Sequence, residues 1–416
     1  MIDKVDNYIK NFNLHNNMQG IFNFFPNKKN NKDTVIEYLE VANKKISKYI
    51  NEFWTAKQKQ GSSLHEVAYR ACFKSELPKF FIELLSREGD VVYDPFLGRG
   101  TTAIEAGLLA RNIIGNDINP LSKILSKPRL FIPPLKEIKE RLKFIPINYN
   151  IKPEKDLSMF YHSKTESEIY SLREYLLNEK LDNIDEWIRM VATNRLTGHS
   201  KGFFSVYTLP PNQAVSISRQ ILINEKRNQA PEYRDVKKLI FKKTKSLLRN
   251  VNKLQMNNLK KINTNSIFLN EDARKTKNIK DASVQLTVTS PPFLDTVQYS
   301  QDNWLRCWFN GINSEEVAKK ITMSRNLSDW IGVMKDVFKE LFRITKKNGW
   351  VAFEVGEIRG GKIKLDEYVL PVGLEAGFNC LGVIINSQNF TKTSNIWGIK
   401  NNNFGTNTNR VVLFYK

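Results

Sequence analysis

Val91-Val92-Tyr93-Asp94-Pro95-Phe96-Leu97-Gly98-Arg99-Gly100-Thr101-Thr102 begins as a short apolar run, passes through two glycines and enters a helix-forming stretch reaching Ala110. Residues 91–93 read as a buried strand, and residues 112–116 as a second strand with Asp117 directly behind it. A strand, a glycine loop, a helix and another strand within about thirty residues make the opening unit of a parallel, doubly wound sheet. Gly98 and Gly100 let the backbone turn sharply and approach a ligand without a Cβ in the way. The helix behind them offers amide donors, and Asp117 stands where a carboxylate accepts both hydroxyls of an adenosine ribose.

Two cofactors suit a glycine loop followed by such an acid. Gly98 to Ala103 satisfies the loose dinucleotide pattern G-x-G-x-x-G/A, which brings in NAD. Asp94 argues the other way: a carboxylate just ahead of the loop repels a pyrophosphate and pairs with the α-ammonium of a methionine-type ligand. S-adenosylmethionine carries that ammonium and no phosphate, so the loop favours it.

Farther out, residues 1–60 read as a polar start followed by a helix, with apolar positions at Val35, Tyr38, Leu39, Val41, Ala42, Ile46, Tyr49 and Ile50. Residues 77–85 are helical. Residues 121–265 break the α/β rhythm, with helical patterns around 164–196 and 231–260 on either side of a polar stretch, 197–228. Strands at 283–289, 350–355, 381–385 and 410–415 and a helix at 327–345 then restore it. The sequence therefore predicts one α/β core, 61–125 plus 266–416, with an N-terminal helical extension over 1–60 and an inserted, mainly helical domain over 126–265.

The 416 residues are 41% hydrophobic and 26% charged, which excludes a mostly disordered chain. No apolar run approaches a membrane span, and no apolar signal core opens the chain, so a cytoplasmic protein is expected. Three cysteines without paired spacing and four histidines suggest neither a disulfide framework nor a metal site. The net charge is +21, divided as +2 over residues 1–120, +14 over 121–270 and +5 over 271–416. A localised excess of that size favours a polyanion, through release of condensed counterions. Lys237, Lys238, Lys242, Lys243, Lys245 and Arg249 stand at its centre.

After the strand at 283–289 comes Ser290-Pro291-Pro292-Phe293. Two prolines fix the backbone and remove two donors, leaving carbonyls at the strand end. A hydroxyl, a rigid carbonyl and an aromatic ring fit an extruded nucleobase: the oxygens accept from its exocyclic NH₂ and the ring stacks on its face. Such an amine is a poor nucleophile because its lone pair is delocalised into the base. Two acceptors on its N–H bonds draw the nitrogen towards sp³ geometry and free that lone pair for in-line attack on a sulfonium methyl.

These two motifs together resemble the amino-methyltransferases of DNA, which carry a D-P-F-x-G-x-G-T-T loop and a [DNS]-P-P-[YF] turn; Asp94 to Thr102 and Ser290 to Phe293 match both without a gap. The segment His65 to Lys74 is similar to the family's N-terminal cofactor element, and Asn270-Glu271-Asp272-Ala273 to its acidic motif after the third strand. The resemblance covers 65–120 and 270–416, in the α-like motif order, with the insert falling ahead of Asp272 where the family often has it after.

The resemblance implies a class I, Rossmann-like fold with a mostly parallel seven-stranded sheet, in which the insert is the target-recognition domain. It implies cofactor-binding roles for Lys74, Asp94, Phe96, Gly98, Gly100, Thr101, Asp117 and Asp272 around S-adenosylmethionine, and catalytic roles for Ser290, Pro291, Pro292 and Phe293. Ser at the first catalytic position goes mostly with cytosine N4, and Asp or Asn with adenine N6. In the insert, Arg195, His199, Lys201, Arg219, Lys226 and Arg227 are candidate contacts to double-stranded DNA. Trp304 and Trp308, four apart, read as core packing. The expected activity is site-specific DNA methylation within a restriction-modification system, with a cognate endonuclease as a further partner and a monomeric or homodimeric state. Adenine N6 methylation, RNA methylation and a catalytically dead DNA-binding module remain the alternatives.

Overall fold

In the computed structural model, which describes residues 2–14, 33–41, 43–55, 61–70, 72–209, 213–292, 299–321, 326–358, 362–387 and 408–416, the strands run in chain order as follows. They are β1 (Val35–Val41), β2 (Lys44–Asn51), β3 (Val91–Asp94), β4 (Asn112–Asn116), β5 (Ile267–Leu269), β6 (Val284–Thr289), β7 (Thr345–Val355), β8 (Glu357–Ile358), β9 (Ile363–Lys364), β10 (Asn379–Ser387) and β11 (Thr408–Tyr415). β8 and β9 pair only with each other; the other nine form one sheet, ordered β1-β2-β10-β11-β7-β6-β3-β4-β5. The seven strands from β10 to β5 are the expected sheet, parallel except for β11, which runs antiparallel to both neighbours.

The hairpin β1–β2 overturns the helix expected across residues 35–50. Helix at this end is confined to Ile2–Lys10, with Leu14 as an isolated helical residue among those described. The apolar pairs of this stretch suit either period, but Val35, Ile36, Val41, Ile46 and Ile50 are β-branched and favour the pleated surface. Asn43, at φ 60°, makes the tight reversal, and β2 then adds in parallel to β10. Asn386 at the end of β10 clamps the junction, its Oδ1 accepting the amides of Phe53 (2.7 Å) and Trp54 (3.1 Å).

Helices cover both faces of the sheet, so β6 is buried along its whole length, as parallel strands between helical layers are. Glu76–Leu85, Thr101–Leu108 and Pro120–Ser126 pack on one face, and Leu327–Ile344 with Leu365–Glu375 on the other. The segment between β4 and β5 is helical, with Leu135–Phe144, Ser163–Asn178, Asn183–Thr193, Ile217–Arg227, Val236–Leu248 and Lys253–Asn263. Its apolar interior runs without a break into the core: Ile104, Leu130, Ile138, Trp187 and Ile240 belong to one buried cluster. The last of these helices lies so close to Thr101–Leu108 that a Cβ on Gly107 would meet Leu259. Among the described residues no helix is long and apolar enough to cross a membrane, and no three metal-ligating side chains gather.

From β3 the chain winds outward through β4 to β5, then returns to place β6 on β3's other side and continues to β7. This reversal leaves a crevice beyond the C-terminal tips of β3 and β6, where open α/β sheets take their ligands.

Candidate active site

The loop after β3 is fixed by its own backbone. Gly98 (φ 51°) and Gly100 (φ 78°) both occupy the left-handed region that glycine enters freely, and a Cβ on Gly100 would land on the Ser126 side chain. The Gly98 amide donates to Asp117 Oδ2 (2.8 Å) and the Asn119 amide to Oδ1 (2.9 Å). The carboxylate is thus held by two donors at the tip of β4. Burial nonetheless raises its pKa above the usual carboxylate range.

Asp94 closes β3 and is buried. Its Oδ1 accepts from the Phe96 amide (3.1 Å) and the Thr289 hydroxyl (2.7 Å), tying the β3 tip to the β6 tip. Burial pushes its pKa up to about 6 despite these donors. Thr102 adds a second tie, its hydroxyl donating to the Val288 carbonyl (3.1 Å). Arg99, between the glycines, turns its guanidinium to the carbonyls of Val67 (3.2 Å), Phe73 (3.3 Å) and His65 (3.4 Å). It thereby fastens His65, Val67 and Phe73 over the loop.

One cleft of about 990 Å³, open mouth included, lies beyond these tips. Phe96, Gly98 and Asp117 line it from the β3–β4 side, Glu271 and Asp272 from beyond β5, and Ser290 and Pro292 from beyond β6. Cofactor and catalytic candidates from opposite ends of the chain therefore meet. Asp272 is held by Arg274 in a bidentate pair (2.6 and 3.0 Å), which lowers its pKa. Asp94, Gly100 and Thr101 are buried behind the wall, Pro291 is buried between the cleft-lining Ser290 and Pro292, and Lys74 is exposed outside the cleft. Phe293 lies outside the described residues.

The turn after β6 has partners that the sequence did not reveal. Glu354 on β7 is buried, and burial raises its pKa while the hydroxyl of Ser290 and the amide of Asn409 (3.0 Å) hydrogen-bond to it. The only sequence signal was a lone acid inside the apolar run Trp350 to Val355. Tyr69, Asn119 and Trp330 also line the cleft. Trp330, Val333, Met334 and Val337 follow the spacing of one helix face, a signal present in the sequence but without direction until the helix is docked.

The insert separates its candidates. His199 and Lys201 are exposed on a loop, and Arg219, Lys226 and Arg227 on the helix Ile217–Arg227, with the Arg227 guanidinium 3.7 Å over the Tyr207 ring. Arg195 departs from expectation. It is only 9% exposed, stacks 3.9 Å over Phe203 and donates to the Asn194 carbonyl and side chain, so its planar cation serves packing rather than a surface contact. Trp308 is buried against Tyr170, as its spacing suggested, and Trp304 packs at the edge of the same region.

Comparison with known proteins gives the following likenesses. Residues 4–125 match the N6/N4 methyltransferase family model, described as DNA methylase; the match ends ahead of Ser290. The type II methyltransferase M.BsoBI of Geobacillus stearothermophilus is 22% identical over 335 residues, 74% of this chain and 64% of that protein. M.MvaI of Kocuria varians is 29% identical over 154 residues, 35% of this chain and 31% of that protein. The chain thus spans less than two thirds of either relative. Among solved structures, a DNA modification methylase of Thermus thermophilus complexed with S-adenosylmethionine covers 35% of this chain and 53% of its own, at 20% identity and a TM-score of 0.22.

Proposed function

We propose that this chain, which belongs to the family of DNA amino-methyltransferases, transfers the methyl group of S-adenosylmethionine to the exocyclic amine of a base everted from duplex DNA, at N4 of cytosine. One observation carries the reading: the glycine loop after β3 and the Ser290 turn after β6 stand on adjacent parallel strands and wall the same cleft.

The residues present fit that cofactor. Asp117, held open by two amides, is placed to accept the ribose hydroxyls; Asp272 suits the adenine amine; Asp94 lends negative charge beneath the loop for an ammonium. A pyrophosphate finds no counterpart at the loop, because the one cation within it, Arg99, is turned to carbonyls. When bound, S-adenosylmethionine supplies a methyl group on a positively charged sulfur.

Ser290 Oγ and the Pro291 carbonyl accept the two N–H hydrogens of the amine, pyramidalising the nitrogen and aligning its lone pair. Glu354, by accepting a hydrogen bond from the Ser290 hydroxyl, keeps the Oγ lone pairs turned to the substrate. As the N–C bond forms and the methyl–sulfur bond breaks, the proton the amine sheds passes to Ser290 Oγ while the Ser290 hydroxyl proton passes to Glu354, whose proton affinity burial raises. Ser290 in place of a carboxylate supports cytosine N4 over adenine N6. A cognate endonuclease reading the same sequence completes the proposal.

The test is incubation of duplex DNA and, in parallel, of RNA with methyl-labelled cofactor, followed by nucleoside mass spectrometry. N4-methylcytosine is expected. N6-methyladenine would overturn the base assignment, label in RNA alone the DNA assignment, and no label in either the enzymatic reading.

A further inference from the structure

Pro291 and Pro292 bring rigidity to the catalytic turn but also a weakness. Neither has an N–H, so the turn cannot tie itself down through backbone donors and must be held by donors that reach its oxygens. On the β7 side, Glu354 takes the hydroxyl of Ser290. On the other side stands Trp330, in the first turn of the helix Leu327–Ile344. Its indole Nε1–H donates to the Pro292 carbonyl at 3.0 Å, and the side chain is 3% exposed. The same helix lines the cleft with Val333, Met334 and Val337, one to two turns further along that face.

We infer that Trp330 is a positioning residue for methyl transfer: by gripping the Pro292 carbonyl it fixes the plane in which Ser290 Oγ and the Pro291 carbonyl meet the amine. The inference rests on the proposed function and extends it. The Ser290 hydroxyl can rotate to recover a tilted hydrogen bond, whereas a proline carbonyl can move only with the backbone. Without the indole donor the turn rocks about β6, and the two acceptors lose their common aim at one nitrogen. A misalignment of this kind slows the chemical step while leaving the glycine loop, Asp117 and Asp272 where they were. Because Trp330 and the apolar wall share one rigid helix, the acceptor turn is also kept in register with the cofactor side of the cleft.

The experiment uses the full chain with Trp330→Phe, which keeps an aromatic ring and deletes the donor. A second variant carries β-(3-benzothienyl)alanine at position 330, matching the indole in shape without its N–H. Three quantities are measured: the single-turnover methylation rate at saturating cofactor and DNA, the calorimetric Kd for S-adenosylhomocysteine, and amide exchange of a peptide containing Thr289 and Ser290. In both variants the rate is expected to fall about tenfold, Kd to stay within about twofold, and exchange at Thr289 and Ser290 to quicken while the distal helix is unchanged. An unaltered rate with unaltered exchange would overturn the inference. So would a Kd that weakens by the same factor as the rate, which would make Trp330 a cofactor wall alone. If the wild-type chain transfers no methyl group, the exchange data still decide whether Trp330 holds the turn, and the loss falls on the proposed function instead.

Discussion

At the tips of β3 and β6, polar side chains take their places from the strand ladder; in the basic segment 121–270, similar side chains are sorted by which way a helix faces. Asp94 and Thr289 close β3 and β6, Asp117 and Ser290 follow β4 and β6, and the parallel pairing of β3 with β4 and β6 brings Asp117 and Ser290 to one crevice. In the basic segment, positive charge divides between two tasks. Arg129 is fully buried, its guanidinium donating to the carbonyls of Leu64 (3.0 Å), Leu125 (2.9 Å) and Arg99. Lys243 and Arg249 pair with Glu66, fastening the insert to the segment that Arg99 holds over the loop. Lys237 donates to the Ile145 carbonyl (2.6 Å). Arg219, Lys226 and Lys201 remain outward. A net charge belongs to a segment, but a phosphate contact belongs to a face.

The comparison makes the strand tips the place of largest effect. Ser290→Ala should lower turnover by about 100-fold, the range seen when a single preorganised hydrogen-bonding group is removed from a reacting centre, with calorimetric affinity for S-adenosylmethionine within about twofold. A variant at full rate would remove Ser290 from the chemistry and leave the tip merely structural. Asp94→Asn probes the tie between the two tips. The Asp94 carboxyl titrates near 6 in the folded chain against about 3.9 unfolded, so its charged form is destabilising and the protonated form is favoured by folding. That penalty is absent below pH 4, grows as pH rises to 6 and is complete above it, reaching about 3 kcal/mol. The amide, whose oxygen can still accept from Thr289 and Phe96, should therefore gain stability over wild type as pH rises from 4 to 6.5 in denaturant titrations. A difference independent of pH would mean the carboxylate is already compensated. Asp117→Ala comes next: losing an acceptor for two ribose hydroxyls should weaken cofactor binding by about 10- to 50-fold by calorimetry, with the melting temperature little changed when cofactor is absent.

How far these features could be read from the sequence follows the same division. The glycine loop, Asp117 and the Ser290 turn are local patterns at strand ends, and a local pattern needs only its neighbours to be understood. Glu354 and Trp330 reach the turn from 64 and 40 positions farther along the chain, through β7 and a helix whose docking no spacing rule supplies. The N-terminal hairpin was misread for a related reason: paired apolar residues at 35–50 satisfy two periods, and only the open edge of β10 decides for strand. Arg195 shows the same limit within the insert, since a guanidinium flanked by glycines and aromatics can equally well read a base or stack on its own Phe203.

The smallest expected effect is the one that sets the two kinds of basic residue directly against each other. Arg219 and Lys226 are exposed on one helix, seven residues apart and so on one face; Arg249 is also half-exposed but is engaged with Glu66. If outward charge contacts phosphate, Arg219→Gln and Lys226→Gln should each weaken duplex binding only a few-fold, equally for all sequences. Each should also reduce the slope of log K against log salt by about one. Arg249→Gln should leave that slope unchanged and instead lower the melting temperature slightly, because an exposed ion pair contributes about 0–1 kcal/mol. Binding isotherms at four salt concentrations separate the two behaviours. Equal slopes for all three variants would mean that the whole basic segment acts as a diffuse field, and that the direction in which its side chains point does not govern how the duplex is held.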